Sequence, residues 1–521
     1  MRAGEIRDHL RESRLFGARL SVVASVVVAL TVLLFLRLAY IQIVNYRHFA
    51  TLSQENRIKP VPILPVRGSI FDRNGVVLAQ NYPVLTLEVI PDQVENMGGL
   101  LAGLGKLIAL NEKDLKLFAR QLRERPRFES LTLRTHLTDE EAARFALVRH
   151  RWNGVELRAR LQRHYPQGAL AVHAIGYVGR INEDEMESID KSAYRGNQHI
   201  GKLGIEQSYE DTLLGEVGFN RIETDAHGRE GRVLEPRQAP VAGRHLHLSL
   251  DARLQALAEQ ALGRMKGVVI AMDPKTGALL TFASTPIYDP NPFVNGIDPE
   301  SYAALRDSKD KPLLNRALNG QYAPGSTIKS FLGLAALDAG EGPGKQVVCP
   351  GWYSLPGSSH RFRCWKRAGH GSMNLHDAVV QSCDVFFYRL AMTLGIERLS
   401  GYLAGHGFGA PTGVDIQGES KGLLPSLKAR RKRGQEWQPG ETVISGIGQG
   451  ATLVTPLQLA VALSGIANRG LRPQPRLAQA VEDPTTKVRT PLPPSPQQPS
   501  GNYTPEQFEI MVHNLTDVVH G

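Results

Sequence analysis

The pattern of hydrophobic positions near the N-terminus predicts a membrane-spanning helix. Residues 20–36, LSVVASVVVALTVLLFL, carry no charge, and the apolar character resumes after Arg37 as LAYIQIV. At about 1.5 Å per residue this run covers about 25 Å, and its continuation completes a bilayer crossing. A cleaved signal peptide usually has a shorter apolar segment, and no clear small-x-small cleavage site follows here. We therefore predict an uncleaved anchor over residues 20–44, rather than a signal peptide or a buried core helix.

The charges that precede this anchor predict its orientation. Arginines outnumber acidic residues in the segment 1–19. The arginines are Arg2, Arg7, Arg11, Arg14 and Arg19, and the acids are Glu5, Asp8 and Glu12. Because positively charged flanks stay in the cytoplasm, residues 1–19 form a predicted cytoplasmic tail. The chain beyond about residue 45 is then expected outside the cytoplasm.

Alternating hydrophobic positions after the anchor predict a long membrane-proximal domain, the pedestal, over residues 45–240. Apolar residues alternate on both sides of Asp72-Arg73-Asn74-Gly75, which is typical of two strands joined by a turn. Residues 100–150 are charged and show helical periodicity, as in EEAARFALVRH, so we expect a helical insertion there.

A second domain is predicted over residues 241–521. The segment GRHLHLSLDARLQALAEQAL, which begins at residue 243, has the pattern of a strand followed by an amphipathic helix. At 268–284, VVIAMDPKTGALLTFAS has two β-rich runs around a turn that contains Pro and Gly, which predicts a hairpin. A hairpin followed by helices favours an α+β fold with helices packed on an antiparallel sheet.

Composition supports a folded protein of more than one domain. The chain has 521 residues, of which 42% are hydrophobic and 21% are charged. The net charge of +10 and the run KARRKR at 428–433 would suit nucleic acid, but no RNA- or DNA-binding signature accompanies them. Since an exported domain meets no nucleic acid, we interpret the run as a solvated basic loop that faces anionic envelope polymers or lipid.

Candidate nucleophilic chemistry lies in YAPGSTIKSFLGLAAL, where Ser326 and Lys329 are three residues apart. On a helix they share one face, about 5–6 Å apart at Cβ, so a neutral lysine could take the proton of the serine hydroxyl. The alternative is an ordinary helix start, with Ser326 as the N-cap and Lys329 solvated. A second segment, QSCDVFFY, offers Ser382 and Asp384 to relay a proton to a leaving amine and to hold Lys329. Either short motif alone is weak evidence for a catalytic site.

Five segments together resemble a known family. They are RGSIFDRNG, GKLGIEQSYEDTLLG, YAPGSTIK, QSCDVFFY and SGIGQGATLVTPLQLA, in the same order along the chain. S-x-x-K with a second S-x-N type motif marks penicillin-binding proteins and related β-lactamases. The chain resembles the class B penicillin-binding proteins, and most of all the penicillin-binding protein 2 group of the rod-elongation machinery, whose second motif reads Ser-x-Asp.

The resemblance implies a serine-type peptidoglycan D,D-transpeptidase of cell-wall elongation, anchored by one helix in the inner membrane with its bulk in the periplasm. It implies that Ser326 attacks the bond between the two terminal D-alanines of a stem peptide, with Lys329 as base. Ser382 would help the D-alanine to leave. An amine from a neighbouring peptidoglycan strand would then attack the acyl-enzyme and form the cross-link. Water in its place would give carboxypeptidase activity, and β-lactams would acylate Ser326. The implied partners are a membrane-embedded glycan polymerase and other elongation-complex proteins.

The third motif of the family, K-T-G or K-S-G, departs from the expected order. The K-T-G of this sequence, Lys275-Thr276-Gly277, precedes Ser326 and falls in the turn of the predicted hairpin, so we interpret it as a decoy. Only 71 residues follow Gly450. The expectation is a chain truncated before the strand that carries the third motif, and inactive or poorly folded on its own. Loss of one oxyanion donor typically costs about 10²–10³ in rate.

A metal site is predicted from the cysteines. All three fall in one stretch with a histidine, as Cys349, Cys364, His370 and Cys383. Cys3His is a standard structural zinc set, but a disulfide or unpaired thiols are the alternatives, although three cysteines cannot all pair within one chain. By resemblance, some penicillin-binding protein 2 members carry zinc here, with carboxylates in place of the first two cysteines. We expect a structural zinc that braces the second motif. His376 is a further candidate ligand, although an ordinary surface histidine is favoured.

Two alternatives to the enzyme remain at this point. One is a β-lactam receptor or β-lactamase on the same fold, against which the long pedestal argues. The other is a non-catalytic membrane scaffold that activates a glycan polymerase, an alternative that the expected absence of the third motif favours.

Overall fold

A computed structural model describes residues 9–46, 58–124, 127, 130–194, 197–224, 230–342, 344–432 and 434–520. Residues 1–8 of the predicted cytoplasmic tail and Arg433 of the basic run lie outside the described residues. The chain divides into two compact units, one formed by the segments up to Ile63 and Gly218–Ala239, the other by Leu64–Val217 and Pro240–Gly521. The predicted domain boundary between residues 240 and 241 stays a prediction.

The secondary structure of the described residues alternates short strands with helices. The strands are β1 (Ile58–Ile63), β2 (Ile70–Phe71), β3 (Val77–Val89), β4 (Leu131–Leu137), β5 (Val155–His164), β6 (Val178–Arg180), β7 (His199–Gly201), β8 (Gly218–Thr224), β9 (Glu230–Gln238), β10 (His245–Leu248), β11 (Gly267–Met272), β12 (Leu279–Thr285), β13 (Val347–Cys349), β14 (Trp352–Tyr353), β15 (Phe362–Arg363), β16 (Gly371–Met373), β17 (Leu471–Pro473), β18 (Ala478–Glu482), β19 (Arg489–Pro491) and β20 (Gln497–Pro499). The α-helices are α1 (His9–Ala39), α2 (Met97–Leu104), α3 (Glu112–Glu124), α4 (Asp139–Val148), α5 (Val172–Ile175), α6 (Glu183–Ser188), α7 (Gly204–Ser208), α8 (Glu210–Leu214), α9 (Ala252–Leu262), α10 (Asn291–Val294), α11 (Pro299–Arg306), α12 (Arg316–Asn319), α13 (Lys329–Asp338), α14 (Leu375–Val380), α15 (Asp384–Gly405), α16 (Leu427–Lys432), α17 (Pro439–Ser445), α18 (Pro456–Ala467) and α19 (Pro505–His520).

The first unit contains the predicted anchor. Helix α1 continues as a π-helical turn over Tyr40–Val44, and the segment Leu15–Val44 is long and apolar enough to cross a membrane. This confirms that residues 20–44 form an apolar helix of spanning length. The same unit holds an antiparallel sheet in the order β1-β8-β9.

The second unit is organised around a seven-stranded sheet. Its order is β19-β18-β10-β2-β3-β4, and β5 also pairs with β3. The pairings are antiparallel except that of β2 with β10, which is parallel. Strands β2 and β3 enclose the turn predicted at Asp72–Gly75, where Asp72 accepts hydrogen bonds from the backbone N–H groups of Asn74 and Val76. The predicted strand-turn-strand is confirmed.

The region predicted as a helical insertion is only partly helical. Helices α2, α3 and α4 lie within or across residues 100–150, but β4 separates α3 from α4 and pairs with β3. Leu131, Leu133 and Leu137 of β4 are buried. Apolar residues at these positions are typical of a strand. The charged helical segments on either side led to the prediction of one helical region instead.

The predicted strand and helix after residue 243 are β10 and α9, and the predicted hairpin is the antiparallel pair β11–β12. Helices α9 and α18 pack on this hairpin. A separate core surrounds α13, whose residues Lys329 to Ala336 are all buried. The prediction that the basic run forms a loop is wrong, because residues 427–432 form helix α16.

Candidate active site and metal centre

Ser326 lies in a 3₁₀ turn, Gly325–Ile328, that leads directly into α13. Pro324 occupies the cap position of this turn, and no side chain caps it. The Ser326 side chain is exposed, and its hydroxyl makes no hydrogen bond within the described part of the chain. Ser326 is therefore not the helix N-cap of the alternative interpretation, and its hydroxyl is free to meet a substrate.

A glycine-rich segment holds the Ser326 turn from the opposite side. The backbone N–H of Gly325 donates to the carbonyl of Gly448 at 3.0 Å, and Gly448 has a left-handed φ of +67°. A Cβ at Gly448 would overlap the Gly325 carbonyl oxygen. Just outside the turn, Tyr322 and Val454 exchange two backbone hydrogen bonds of 2.9 Å. Gly448 thus positions the turn, a role that the sequence analysis missed, although GIGQG signals a tight backbone approach.

Lys329 connects the Ser326 helix to the second motif. Its side chain is 3% exposed, and Nζ donates to Ser382 O at 2.9 Å, Ser382 Oγ at 3.0 Å and Asp384 Oδ1 at 2.6 Å. These acceptors match the three donors of an ammonium group. The Phe387 ring lies beneath Nζ, 5.5 Å away at its centroid.

The structure therefore brings together Lys329, Ser382 and Asp384 from positions more than 50 residues apart. Ser326 is on the same turn as Lys329 but is not among the acceptors of its ammonium group. The predicted proximity of the four residues is observed for three of them as direct contacts, whereas Ser326 stands next to this network with its hydroxyl exposed. Their chemical roles stay predictions.

The second motif is a strained loop between α14 and α15. Ser382 has a left-handed φ of +52°, which is uncommon for a residue with a side chain and costs of order 1–3 kcal/mol. The two bonds from Lys329 to Ser382 hold this conformation. Asp384 begins α15, where a negative charge is favourable. Its Oδ2 accepts from the backbone N–H of Trp365 at 3.0 Å, and the Trp365 indole donates to Gln381 O at 3.0 Å.

Trp365 is a second positioning residue that the sequence analysis missed. It follows Cys364 directly, so it links the cysteine-rich hairpins to both sides of the second motif. No sequence signal marks it, because its main contact is made by a backbone N–H group.

The predicted zinc ligands form one compact cluster. The ligand atoms of Cys349, Cys364, His370 and Cys383 all lie within 4.8 Å of one another. His370 Nδ1 is 3.5 Å from the sulfurs of both Cys349 and Cys364. Zn–S bonds of about 2.3 Å and Zn–N bonds of about 2.0–2.1 Å in a tetrahedron require donor separations of about 3.6 Å. The donor set and its spacing fit zinc.

Burial makes the cysteine thiols of this cluster harder to ionise. The three cysteines are buried and unpaired. Burial, with a smaller contribution from the neighbouring Cys349 thiol, raises the pKa of Cys383 to about 12, and burial raises the pKa of Cys364 as well. A coordinated cation reverses this effect, because it stabilises the thiolate form of its ligands.

The K-T-G sequence lies where the decoy interpretation placed it. Lys275, Thr276 and Gly277 form the turn between β11 and β12. The Asp273 carboxylate accepts the backbone N–H of Lys275 at 2.8 Å, and Gln497 donates to Lys275 O at 2.9 Å. These hydrogen bonds account for the conformation of the turn without a catalytic role.

Comparison with known proteins matches both halves of the chain. The family described as Penicillin-binding Protein dimerisation domain matches residues 62–248, and the one described as Penicillin binding protein transpeptidase domain matches residues 267–521. The peptidoglycan D,D-transpeptidase MrdA of Acinetobacter baumannii is 42% identical over 477 residues, which cover 91% of this chain and 71% of that protein.

Two solved structures are also similar. Penicillin-binding protein PBP2 of Helicobacter pylori, solved in complex with MreC, has a TM-score of 0.75 and 30% identity, covering 89% of this chain and 83% of that one. PBP2 of Pseudomonas aeruginosa, in complex with WCK 5153, has a TM-score of 0.66 and 36% identity, covering 89% of this chain and 81% of that one. With the order of its motifs and the geometry around Lys329, these matches show that the chain belongs to the class B penicillin-binding proteins, in the penicillin-binding protein 2 group.

Proposed function

We propose that this chain is a peptidoglycan D,D-transpeptidase that cross-links stem peptides during cell-wall elongation, through an acyl-enzyme on Ser326. The observation that carries the proposal is the buried Lys329, bound to Ser382 and Asp384 at the base of the turn that exposes Ser326. The name of the Acinetobacter baumannii relative, peptidoglycan D,D-transpeptidase, supports the substrate class.

Acylation begins with the proton of Ser326. Lys329 acts as the base in its neutral amine form, held in place by Ser382 Oγ and Asp384 Oδ1. Ser326 Oγ then attacks the carbonyl carbon of the penultimate D-alanine while its proton passes to Lys329 Nζ. The N-terminal turn of α13 adds backbone N–H groups that favour the developing negative charge.

The leaving amine takes its proton from Ser382. Because the Ser382 hydroxyl accepts a hydrogen bond from Lys329, its own hydrogen is free to point at the nitrogen of the leaving D-alanine. The C–N bond breaks as that nitrogen receives the proton, and Lys329 returns a proton to Ser382. The amine of a second stem peptide then attacks the ester carbonyl, loses a proton along the same route, and Ser326 regains its hydrogen.

The same steps account for the related activities in the proposal. If water attacks in place of the amine, the product is a carboxylic acid, and the overall reaction is that of a D-alanine carboxypeptidase, a hydrolase. A β-lactam acylates Ser326 with cleavage of its ring C–N bond, so the leaving nitrogen stays attached to the enzyme. Ser326, Lys329, Ser382 and Asp384 keep their roles in each case.

The proposal includes a structural zinc held by Cys349, Cys364, His370 and Cys383. Four protein ligands leave no open coordination position, so zinc would supply a cross-link between loops and no reaction step. Cys383 stands between Ser382 and Asp384, and a ligand bond to it would restrict the second motif.

The proposed setting is the inner membrane, with the N-terminus in the cytoplasm and the bulk of the chain in the periplasm. The arginine excess before the apolar helix supports this orientation. A membrane-embedded glycan polymerase and other elongation proteins are the proposed partners. The Helicobacter pylori neighbour, solved with MreC, supports an elongation partner, and another neighbour belongs to a peptidoglycan synthase complex.

Labelling with a fluorescent penicillin tests the proposal. The full chain in detergent is compared with Ser326→Ala and with Lys275→Ala, which alters the K-T-G turn. We expect covalent label on the unaltered chain and on Lys275→Ala, and none on Ser326→Ala at an unchanged melting temperature. Label on the unaltered chain would overturn the expectation that a chain truncated before the third motif is inactive on its own. Equal labelling of Ser326→Ala would contradict the nucleophile. A folded chain that takes no label would favour the scaffold alternative instead.

A further inference from the structure

A second cluster of potential metal ligands lies where α14 and α19 meet. His376 is in the first turn of α14, and His513 and Asp517 are four residues apart on α19. One ligand atom from each lies within 4.8 Å of the others. Asp517 Oδ2 is 2.9 Å from His376 Nε2 and 3.4 Å from His513 Nε2.

We propose that His376, His513 and Asp517 form a separate, solvent-accessible site for a divalent transition-metal ion such as Zn²⁺. Imidazole nitrogens favour zinc, copper or nickel over the oxygen-preferring Mg²⁺ and Ca²⁺. Bonds of about 2.0–2.2 Å to nitrogen and oxygen in a tetrahedron place donors about 3.4 Å apart, which requires only small side-chain adjustments here. Three protein ligands leave at least one position for water.

The surroundings of His376 support this assignment. Its Nδ1 is 3.3 Å from Asp377 Oδ1, so Nδ1–H can donate a hydrogen bond to Asp377, and the Nε2 lone pair then faces Asp517 and His513. Metal-bound histidines usually donate their second ring N–H to such a carboxylate, which fixes the tautomer and the ring orientation. The His376 and His513 rings are 6.0 Å apart at their centroids and tilted by 32°. Both rings therefore approach Asp517 from the same side of the α14–α19 junction.

The position of the cluster suggests what a bound ion does. Helix α14 leads into the second motif, with Ser382 two residues beyond its end. Helix α19 packs against α13 and α14, and Met511 fills the space over Gly333 of α13. An ion at this junction therefore ties α19 to the helix that positions Ser382. It is distinct from the Cys3His cluster, with which it shares no residue.

The test is zinc content measured on the full chain in detergent. The unaltered chain, His513→Gln and His150→Gln are equilibrated in the same zinc-buffered solution, and bound zinc is determined by atomic emission. His150 is an exposed histidine of the Arg149–Arg151 turn and serves as the matched control. We expect His513→Gln to bind one equivalent less than the other two. This difference holds whether or not the Cys3His cluster binds zinc, so the two assignments are tested independently.

Two further measurements keep the outcome clear. His513 is 71% exposed, so its substitution should leave the melting temperature in zinc-free buffer unchanged. With Co²⁺ as the probe, the site should add d–d absorption without the thiolate charge-transfer band that a cysteine-rich site gives, and Asp517→Asn should remove it. Equal zinc in all three proteins would overturn the proposal and leave the cluster a hydrogen-bonded contact only.

Discussion

The ammonium nitrogen of Lys329 lies 2.6 Å from Oδ1 of Asp384, although the two residues are 55 positions apart. Lys329 is 3% exposed and the Asp384 side chain 13% exposed, so each charge depends on the other for compensation. Such a pair contributes little net stability when intact, but the removal of one partner leaves a buried charge unpaired.

Truncation of Asp384 should therefore cost more than its isosteric replacement. We expect Asp384→Ala to lower the free energy of unfolding by about 3–5 kcal/mol. Asp384→Asn keeps the size of the side chain but only one acceptor oxygen, which can serve Lys329 or the Trp365 N–H but not both, so we expect a smaller loss than in Asp384→Ala. Urea unfolding of the full chain in detergent, followed by circular dichroism, measures the difference. An unchanged free energy of unfolding in Asp384→Ala would contradict the ion-pair explanation.

Gly448 should control the placement of Ser326. In Gly448→Ala the new methyl group overlaps the Gly325 carbonyl oxygen, so the Ser326 turn has to move. Misplacement by about 1 Å can cost about 10²-fold in rate, and we expect a loss of that order in the second-order rate constant of penicillin acylation.

The control for this substitution is Gly418→Ala. Gly418 also has a left-handed φ, +86°, but no atom lies within 4 Å of the position where its Cβ would be. It carries the same kind of backbone strain without displacing the Ser326 turn. If both variants acylate at the normal rate, Gly448 does not position Ser326.

The cysteine cluster should bind one zinc ion and hold the second motif. We expect Cys364→Ser to lose one equivalent of zinc, melt at a lower temperature and acylate more slowly, since Trp365 and Cys383 both reach the second motif. His360→Gln, an exposed histidine next to the β15 strand, is the matched control and should keep its zinc. Unchanged zinc content in Cys364→Ser would exclude this cluster as the site.

A buried histidine should make the stability depend on pH. Burial, helped by the charge of Arg472, lowers the pKa of His406 to about 3, and its Nδ1 lies 2.9 Å from Ser500 Oγ. The unfolded chain binds a proton at His406 below about pH 6.5 and the folded protein does not. Stability from this group is thus complete above about pH 6.5 and decreases toward pH 3, by at most about 1.4 kcal/mol per pH unit.

The measurement is the melting temperature between pH 4 and pH 8 for the unaltered chain and for His406→Gln. Over the acidic half of this range, the melting temperature of His406→Gln should fall less steeply. Parallel curves for the two proteins would show that His406 does not titrate on unfolding.

Local patterns in the sequence predicted the elements that depend on periodicity. The uncharged run from Leu20 to Leu36, the alternation around Asp72 and the hairpin around Lys275 each correspond to an observed element. Strand β4 was missed because its seven residues are short compared with the charged helices on either side, and its pairing with β3 is a tertiary contact.

The site was predictable as far as its residue types are fixed by short motifs. Lys329, Ser382 and Asp384 were expected together and are in contact. The segment GIGQG signals a tight backbone approach at Gly448 but not which segment it meets, and no residue pattern marks the contact of the Trp365 N–H with Asp384. The left-handed conformation of Ser382 is likewise set by Lys329 and not by local preference.

The order of strands in the seven-stranded sheet constrains when the protein can fold. Strand β10 stands between β2, from the early part of the chain, and β18, which is synthesised more than 200 residues after β10. Contacts of such long sequence separation form slowly, because the intervening chain must first be confined. As the chain is synthesised, β2 and β3 therefore keep one sheet edge unpaired until β10 follows, and β10 keeps one edge unpaired until β18 follows. We expect this interval to be the period in which the chain most needs protection from aggregation at its open strand edges.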